Sequence, residues 1–142
     1  MSSTPLVVEK LVNAPVKKVW QAITDKDQMK KWYFNLDDFK AEKGFEFSFP
    51  GKGSKGEDYI HHCRITDVIP YKKLQYSWTY EGYEGYSEVS FELFDEGDKT
   101  LVKLTHTGLG SFPQDNPDFG RQSFTGGWTE LVTKLLPAFV EG

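Results

Sequence analysis

The feature that most constrains how this chain folds is a change of hydrophobic period along it. Phe45, Phe47 and Phe49 alternate with Glu46 and Ser48, and Leu74, Tyr76, Trp78 and Tyr80 alternate with Gln75, Ser77 and Thr79. Val89, Phe91 and Leu93 repeat the pattern, as do Val102, Leu104 and His106, with the turn sequence DEGDKT between these two runs. A period of two puts one set of side chains on one face of a strand, so these segments predict half-buried strands in an antiparallel meander. The period then changes. Phe124, Trp128, Leu131, Val132, Leu135 and Phe139 fall at offsets of four, seven, eight, eleven and fifteen, the signature of one apolar helix face.

The start of the chain fits the same plan. Leu6 to Val12 is a β-rich run, and Pro15 opens a segment in which Val16, Val19, Trp20 and Ile23 recur at helical spacing. Thr24 or Asp25 then caps a second short helix with Met29, Trp32 and Tyr33 on its apolar side. Asn116 with Pro117, or Asp118, marks the start of the C-terminal helix, and Pro137 is expected to kink or end it unless it falls in the final turn. A helix that is apolar on one side buries its stripe against the sheet. The expected architecture is an α+β roll, a curved antiparallel sheet of about six to seven strands around a long C-terminal helix, with two short helices after the first strand. Residues 1–142 are read as one domain, since this length buries about two-thirds of the unfolded chain's surface in a single core.

Charge and cysteine content exclude several functions. With 17 Lys and Arg against 21 Asp and Glu, the chain offers no basic field for phosphate backbones, so nucleic acid is not an expected partner. No apolar run approaches a membrane span. A lone cysteine, and an N-terminus without a signal-peptide pattern, give a cytoplasmic expectation.

Two motifs imitate active sites. YIHHCRITDV places His61, His62 and Cys63 side by side. In a strand, however, His61 and His62 point to opposite faces; His61 and Cys63, with Tyr59 and Ile65, share the other face as interior lining, and His62 is solvated. Two ligands do not close a zinc site, and a mid-strand thiol lacks the cation or helix terminus that would stabilise a thiolate, so neither a metal nor a cofactor is expected. GKGSKG, residues 51 to 56, matches G-x-G-x-x-G, but a strand rather than a helix follows it; the expectation is a mobile hairpin loop.

What remains is aromatic content. Eleven Phe, seven Tyr and four Trp make up 15% of the chain. Phe47, Tyr59, Tyr76, Trp78, Phe91 and His106 converge on faces expected to be concave. They fill a plain core or line a pocket between sheet and helix, and an apolar pocket with a few polar groups is the usual architecture for small-molecule binding. Gly126 and Gly127 near the start of a helix imply a close approach, a bend or a movable segment beside Trp128.

NAPVKKVWQAIT, Trp32 closing the next helix, the strand ending DVIP, LQYSW, TLVKLTHTG and GGWTELVTKL, in this order, resemble the AHSA-like family of the START/Bet v (SRPBCC) superfamily. That family is named after the activator of heat-shock protein 90 ATPase. The resemblance implies a helix-grip fold around a hydrophobic cavity. Members include lipid carriers, ligand receptors, cyclases and a co-chaperone, so the fold alone does not select an activity. The leading expectation is non-enzymatic binding of a hydrophobic or aromatic small molecule or lipid. The expected lining comprises Phe47, Tyr59, His61, Cys63, Tyr76, Trp78, Phe91, His106, Phe124, Trp128 and Leu131. Two alternatives stand beside it. One is a cyclase-like or hydrolytic enzyme using His106 or His61 as acid/base. The other is a chaperone-linked stress-response protein presenting Lys17, Lys18, Lys30 and Lys31.

Overall fold

In the computed structural model, which describes residues 5–33, 38–52, 56, 58–113 and 115–141, the period-two runs are strands and the apolar stripe is helical. Strand β1 (Leu6–Val12) precedes helices α1 (Val16–Thr24) and α2 (Lys26–Trp32). Strands β2 (Glu46–Lys52), β3 (Asp58–Ile69), β4 (Lys73–Tyr80), β5 (Ser87–Asp95) and β6 (Thr100–Thr107) follow. Short 3-10 turns at Leu109–Ser111 and Pro117–Phe119 lead into α3 (Arg121–Glu130), a π turn (Leu131–Leu135) and α4 (Leu136–Glu141). The six strands form one antiparallel sheet in the order β1-β6-β5-β4-β3-β2, so the meander expected from β2 to β6 is present and β1 closes onto β6.

The sheet has two chemically distinct faces because the side-chain period matches the pleat. Leu74, Tyr76, Trp78 and Tyr80 of β4, Val89, Phe91 and Leu93 of β5, and Val102, Leu104 and His106 of β6 are all buried on the inner face. On the outer face Glu9, Lys103, Glu92 and Lys73 occupy facing positions across β1, β6, β5 and β4, a row of alternating charge. Each such opposite-charge pair contributes roughly 0.2 to 1 kcal/mol and keeps that face in water.

Local chemistry sets the helix ends. Pro15, at φ −70°, supplies the turn before α1. The Asp25 carboxylate caps α2 by accepting from the Asp27 N–H at 3.1 Å, whereas the Thr24 hydroxyl bonds back to the Trp20 carbonyl. Trp32 locks α2 onto α1 through its indole N–H, 2.8 Å from the Ala22 carbonyl. The C-terminal helix begins later than its sequence signals suggest, at Arg121, because Asn116 spends its side-chain oxygen on the Asp118 N–H and the chain then turns Phe119 into the interior.

The buried positions of that helix run Phe124, Trp128, Val132, Leu136 and Val140, a step of four throughout. A regular α-helix drifts by about 40° at each step of four. The π turn holds an extra residue, with the Leu136 N–H reaching back to the Leu131 carbonyl, and so returns the stripe to the sheet. This corrects the expected stripe. Leu135 is exposed, Leu131 and Phe139 are half-buried, and Leu136 takes the inward place. Pro137, which has no N–H to donate, sits directly after the rephased turn, so the helix continues to Glu141.

Candidate functional site

The interior between sheet and helix is built from rings. Of the eleven residues expected to line it, all but Leu131 are buried. Three regions can be distinguished along it.

The first is a polar chain at the helix. The indole N–H of Trp128 donates to Nδ1 of His106 at 3.0 Å, and Nε2 of His106 lies 2.8 Å from the Ser87 hydroxyl, which is 2.8 Å from the Trp78 carbonyl. An indole can only donate, so Nδ1 is the bare nitrogen and the proton sits on Nε2. That proton goes to Ser87, and Ser87 passes its own to the carbonyl. Burial holds the His106 pKa down at about 3. Although Ser87 and His106 are within hydrogen-bond distance, the polarity is the reverse of a serine hydrolase, where the imidazole must accept the hydroxyl proton. Protonating Nδ1 would set two donors against each other. As placed, His106 is not equipped as a general base.

The second region surrounds His61. Its ring stacks on Phe49 at 4.5 Å and 11°, meets Trp78 edge-on at 5.0 Å, and donates from Nδ1 to the Phe49 carbonyl at 3.2 Å. Desolvation lowers its pKa to about 4 despite that bond. Gly51 faces this ring. A Cβ there would come 2.6 Å from the imidazole, so the first glycine of GKGSKG is fixed by packing, while residues 53–55 of that loop lie outside the described residues. His62, on the opposite face, is solvent-exposed and bonds Glu81 at 3.0 Å. Cys63 is buried, and burial pushes its thiol pKa up, away from thiolate chemistry.

The third region is the centre. Tyr33, the residue after α2, carries its ring inward to lie near-parallel to Trp128 (6.2 Å, 24°) and edge-on to Phe91 (6.4 Å, 87°), with its hydroxyl bonded to that of Tyr76. Phe47 meets Tyr76 edge-on at 5.3 Å. Burial raises the pKa of both tyrosine hydroxyls. Each such aromatic pair adds roughly 0.5 to 1.5 kcal/mol beyond its buried area. At the far end Tyr59, Tyr80, Phe112 and Phe119 pack together, and the Tyr59 hydroxyl donates to Asp118 at 2.8 Å.

At the centre, the gap bounded by Ile23, Met29, Trp32, Tyr33, Leu74, Tyr76 and Phe91 has no space for a water-sized sphere. The reason is the inward Tyr33 ring, which the sequence places on a helix stripe without showing how far it reaches. Of the three roles expected for Gly126 and Gly127, the close approach is not found. A Cβ at either meets nothing within 4 Å, so no close approach requires them. Tyr33, Phe49, Tyr80, Ser87 and Phe119 were not among the expected site residues; Phe49 and Tyr80 belong to the alternating runs and were legible there, Tyr33 was legible only as part of a helix stripe, Ser87 keeps the β5 register but is polar, and Phe119 lies outside the alternating runs.

Among the described residues no three His, Cys, Asp or Glu side chains come together as a metal site, and no helix is long and apolar enough to cross a membrane. Lys17, Lys18, Lys30 and Lys31 are exposed on α1 and α2.

An antiparallel sheet curved about a C-terminal helix, with two short helices after the first strand, defines the helix-grip class. Within it, the chain belongs to the family described as activator of Hsp90 ATPase homolog 1-like protein, whose family model matches residues 13–140. The fold is shared with MLL2253 from Mesorhizobium loti, at 23% identity and a TM-score of 0.77 over 97% of both chains. It is also similar to CalU16 from Micromonospora echinospora, at 27% identity and a TM-score of 0.72 over 96% of this chain and 75% of that one. DynU16, a protein of the dynemicin biosynthetic locus, aligns at 20% identity and a TM-score of 0.78 over 99% of this chain and 48% of its own length. No curated protein sequence matches the chain.

Proposed function

We propose that the protein binds a hydrophobic or aromatic small molecule, or a lipid, between the inner face of the sheet and the C-terminal helix, without catalysing its conversion. The observation that carries this reading is the composition of the central interior. Phe47, Phe91 and Trp128 supply apolar ring surface, and the hydroxyls of Tyr33 and Tyr76 supply polar contacts at depth. An apolar lining with a few directed polar groups is what a small-molecule site requires. Catalysis fits less well because His106 is held neutral with its proton committed to Ser87, and His61 is enclosed by Phe49, Trp78 and Tyr80.

Naphthalene titrated into the wild type, followed by tryptophan fluorescence, is the direct test. Saturable quenching at one equivalent, weakened in a folded Phe91→Trp variant that overfills the ring shell, is the expected result. Linear, non-saturating quenching, or binding indifferent to Phe91→Trp, overturns an interior site.

A further inference from the structure

The central gap of the interior is filled by one of the protein's own side chains, and that side chain has the shape of a ligand. Tyr33 follows the last residue of α2, and its ring, unlike those of Phe47, Tyr76, Phe91 and Trp128, is carried on neither the sheet nor the C-terminal helix. The residue is half-buried, yet its hydroxyl end is enclosed deeply enough to raise its pKa. It therefore enters the interior from the surface, hydroxyl first.

We infer that the phenol of Tyr33 holds the place of a hydroxyaryl ligand: a small aromatic molecule bearing a phenolic hydroxyl displaces Tyr33, lies against Trp128 and Phe91, and is read by the hydroxyl of Tyr76. This rests on the interior-binding reading and adds the ligand class to it. Three observations support it. The slot is one aromatic ring wide, with the near-parallel Trp128 indole on one side and the edge-on Phe91 on another, both at the centroid distances that aromatic pairs adopt. At its deep end stands Tyr76, fully buried on β4, whose hydroxyl meets that of Tyr33. A plain hydrocarbon in the slot would leave the Tyr76 hydroxyl without this bond, and an unpaired buried hydroxyl is costly, so the site favours a ligand that restores it. Finally, Tyr33 stands outside the strand ladder, at the end of α2, where its N–H bonds the Met29 carbonyl, so displacing its ring breaks no strand pairing.

The test uses 4-methylphenol and toluene, the side-chain analogues of tyrosine and phenylalanine, titrated by heteronuclear NMR into the wild type, Tyr33→Ala and Tyr33→Ala/Tyr76→Phe. Tyr33→Ala should bind 4-methylphenol at least about tenfold more tightly than the wild type does, and about tenfold more tightly than it binds toluene, the change expected from one restored hydrogen bond. Adding Tyr76→Phe should remove the preference and leave toluene binding in place. Equal affinity of Tyr33→Ala for the two probes overturns phenol recognition but leaves an apolar interior site. A wild type that binds as tightly as Tyr33→Ala overturns Tyr33 as the occupant. If folded Tyr33→Ala binds neither probe the inference falls, and the naphthalene titration of the wild type then decides separately whether interior binding falls with it. Should Tyr33→Ala not fold, the wild type answers instead: at saturating 4-methylphenol the Tyr33 ring resonances must move to the position of an exposed tyrosine, and unchanged resonances in a saturated complex overturn the inference.

Discussion

Trp128 donates its indole proton to His106 at 3.0 Å, and that one bond fixes the tautomer, the charge and the role of the most buried histidine in the fold. Because Nδ1 accepts, Nε2 must donate, and Ser87 completes the chain to the Trp78 carbonyl. The network ties α3 to β6, β5 and β4. Ser87→Ala should therefore cost about 1 to 3 kcal/mol, the penalty for leaving the Nε2 proton unpaired in the core. Urea unfolding measures it, and a loss within error of zero would show that the bond is not maintained.

The two buried histidines make stability fall with acid. Both have folded pKa values depressed from 6.5, to about 4 for His61 and about 3 for His106, so the unfolded chain binds their protons first. Their contribution is complete above about pH 6.5 and is lost as the pH falls through the window toward 4 and 3, at up to about 1.4 kcal/mol per pH unit for each ring. His106→Gln, which keeps an acceptor for Trp128 and a donor for Ser87, should flatten the slope between pH 6 and 4 by about that amount. An unchanged slope would mean that His106 is protonated in the folded state.

Gly126 and Gly127 are open to improvement. Neither has a neighbour within 4 Å of a prospective Cβ, and both sit in α3. Alanine at either position should raise stability by about 0.5 to 1 kcal/mol through helix propensity and a less flexible unfolded chain. Thermal unfolding tests this, and a lower Tm for either variant would point to a conformational need for glycine in that turn.

Gly51 should behave in the opposite way. Its Cβ would stand 2.6 Å from the His61 ring, itself clamped by Phe49 and Trp78. Gly51→Ala is expected to destabilise by about 1 to 3 kcal/mol, the range for overpacking. A neutral result would show that the imidazole has room to move.

The sequence was most informative where the physics is local. Alternation in β2 to β6 separated inner from outer faces, and it correctly put His61 and Cys63 inside and His62 in solvent. It was least informative where the outcome depends on three-dimensional filling. The stripe of the C-terminal helix could be followed through Val132, but beyond it a π turn changes which residues face the sheet, so Leu136 rather than Leu135 is inside. The filling of the central gap depends on the ring of Tyr33, just after α2, crossing to Trp128 and Tyr76, a contact between residues far apart in the chain. Ser87 heads the inward face of β5 but is polar, so it adds nothing to a hydrophobic pattern, and its importance follows only from its distance to His106.

The most direct measurement is to locate a bound probe by intermolecular nuclear Overhauser effects between naphthalene and the protein's methyl groups. Contacts to Val132 of the C-terminal helix together with Leu74 and Val89 of the sheet, all buried on the inner side, are the predicted result. Contacts confined to exposed outer-face residues such as Val7 and Leu11, with none to the inner methyl groups, would contradict a binding site between sheet and helix.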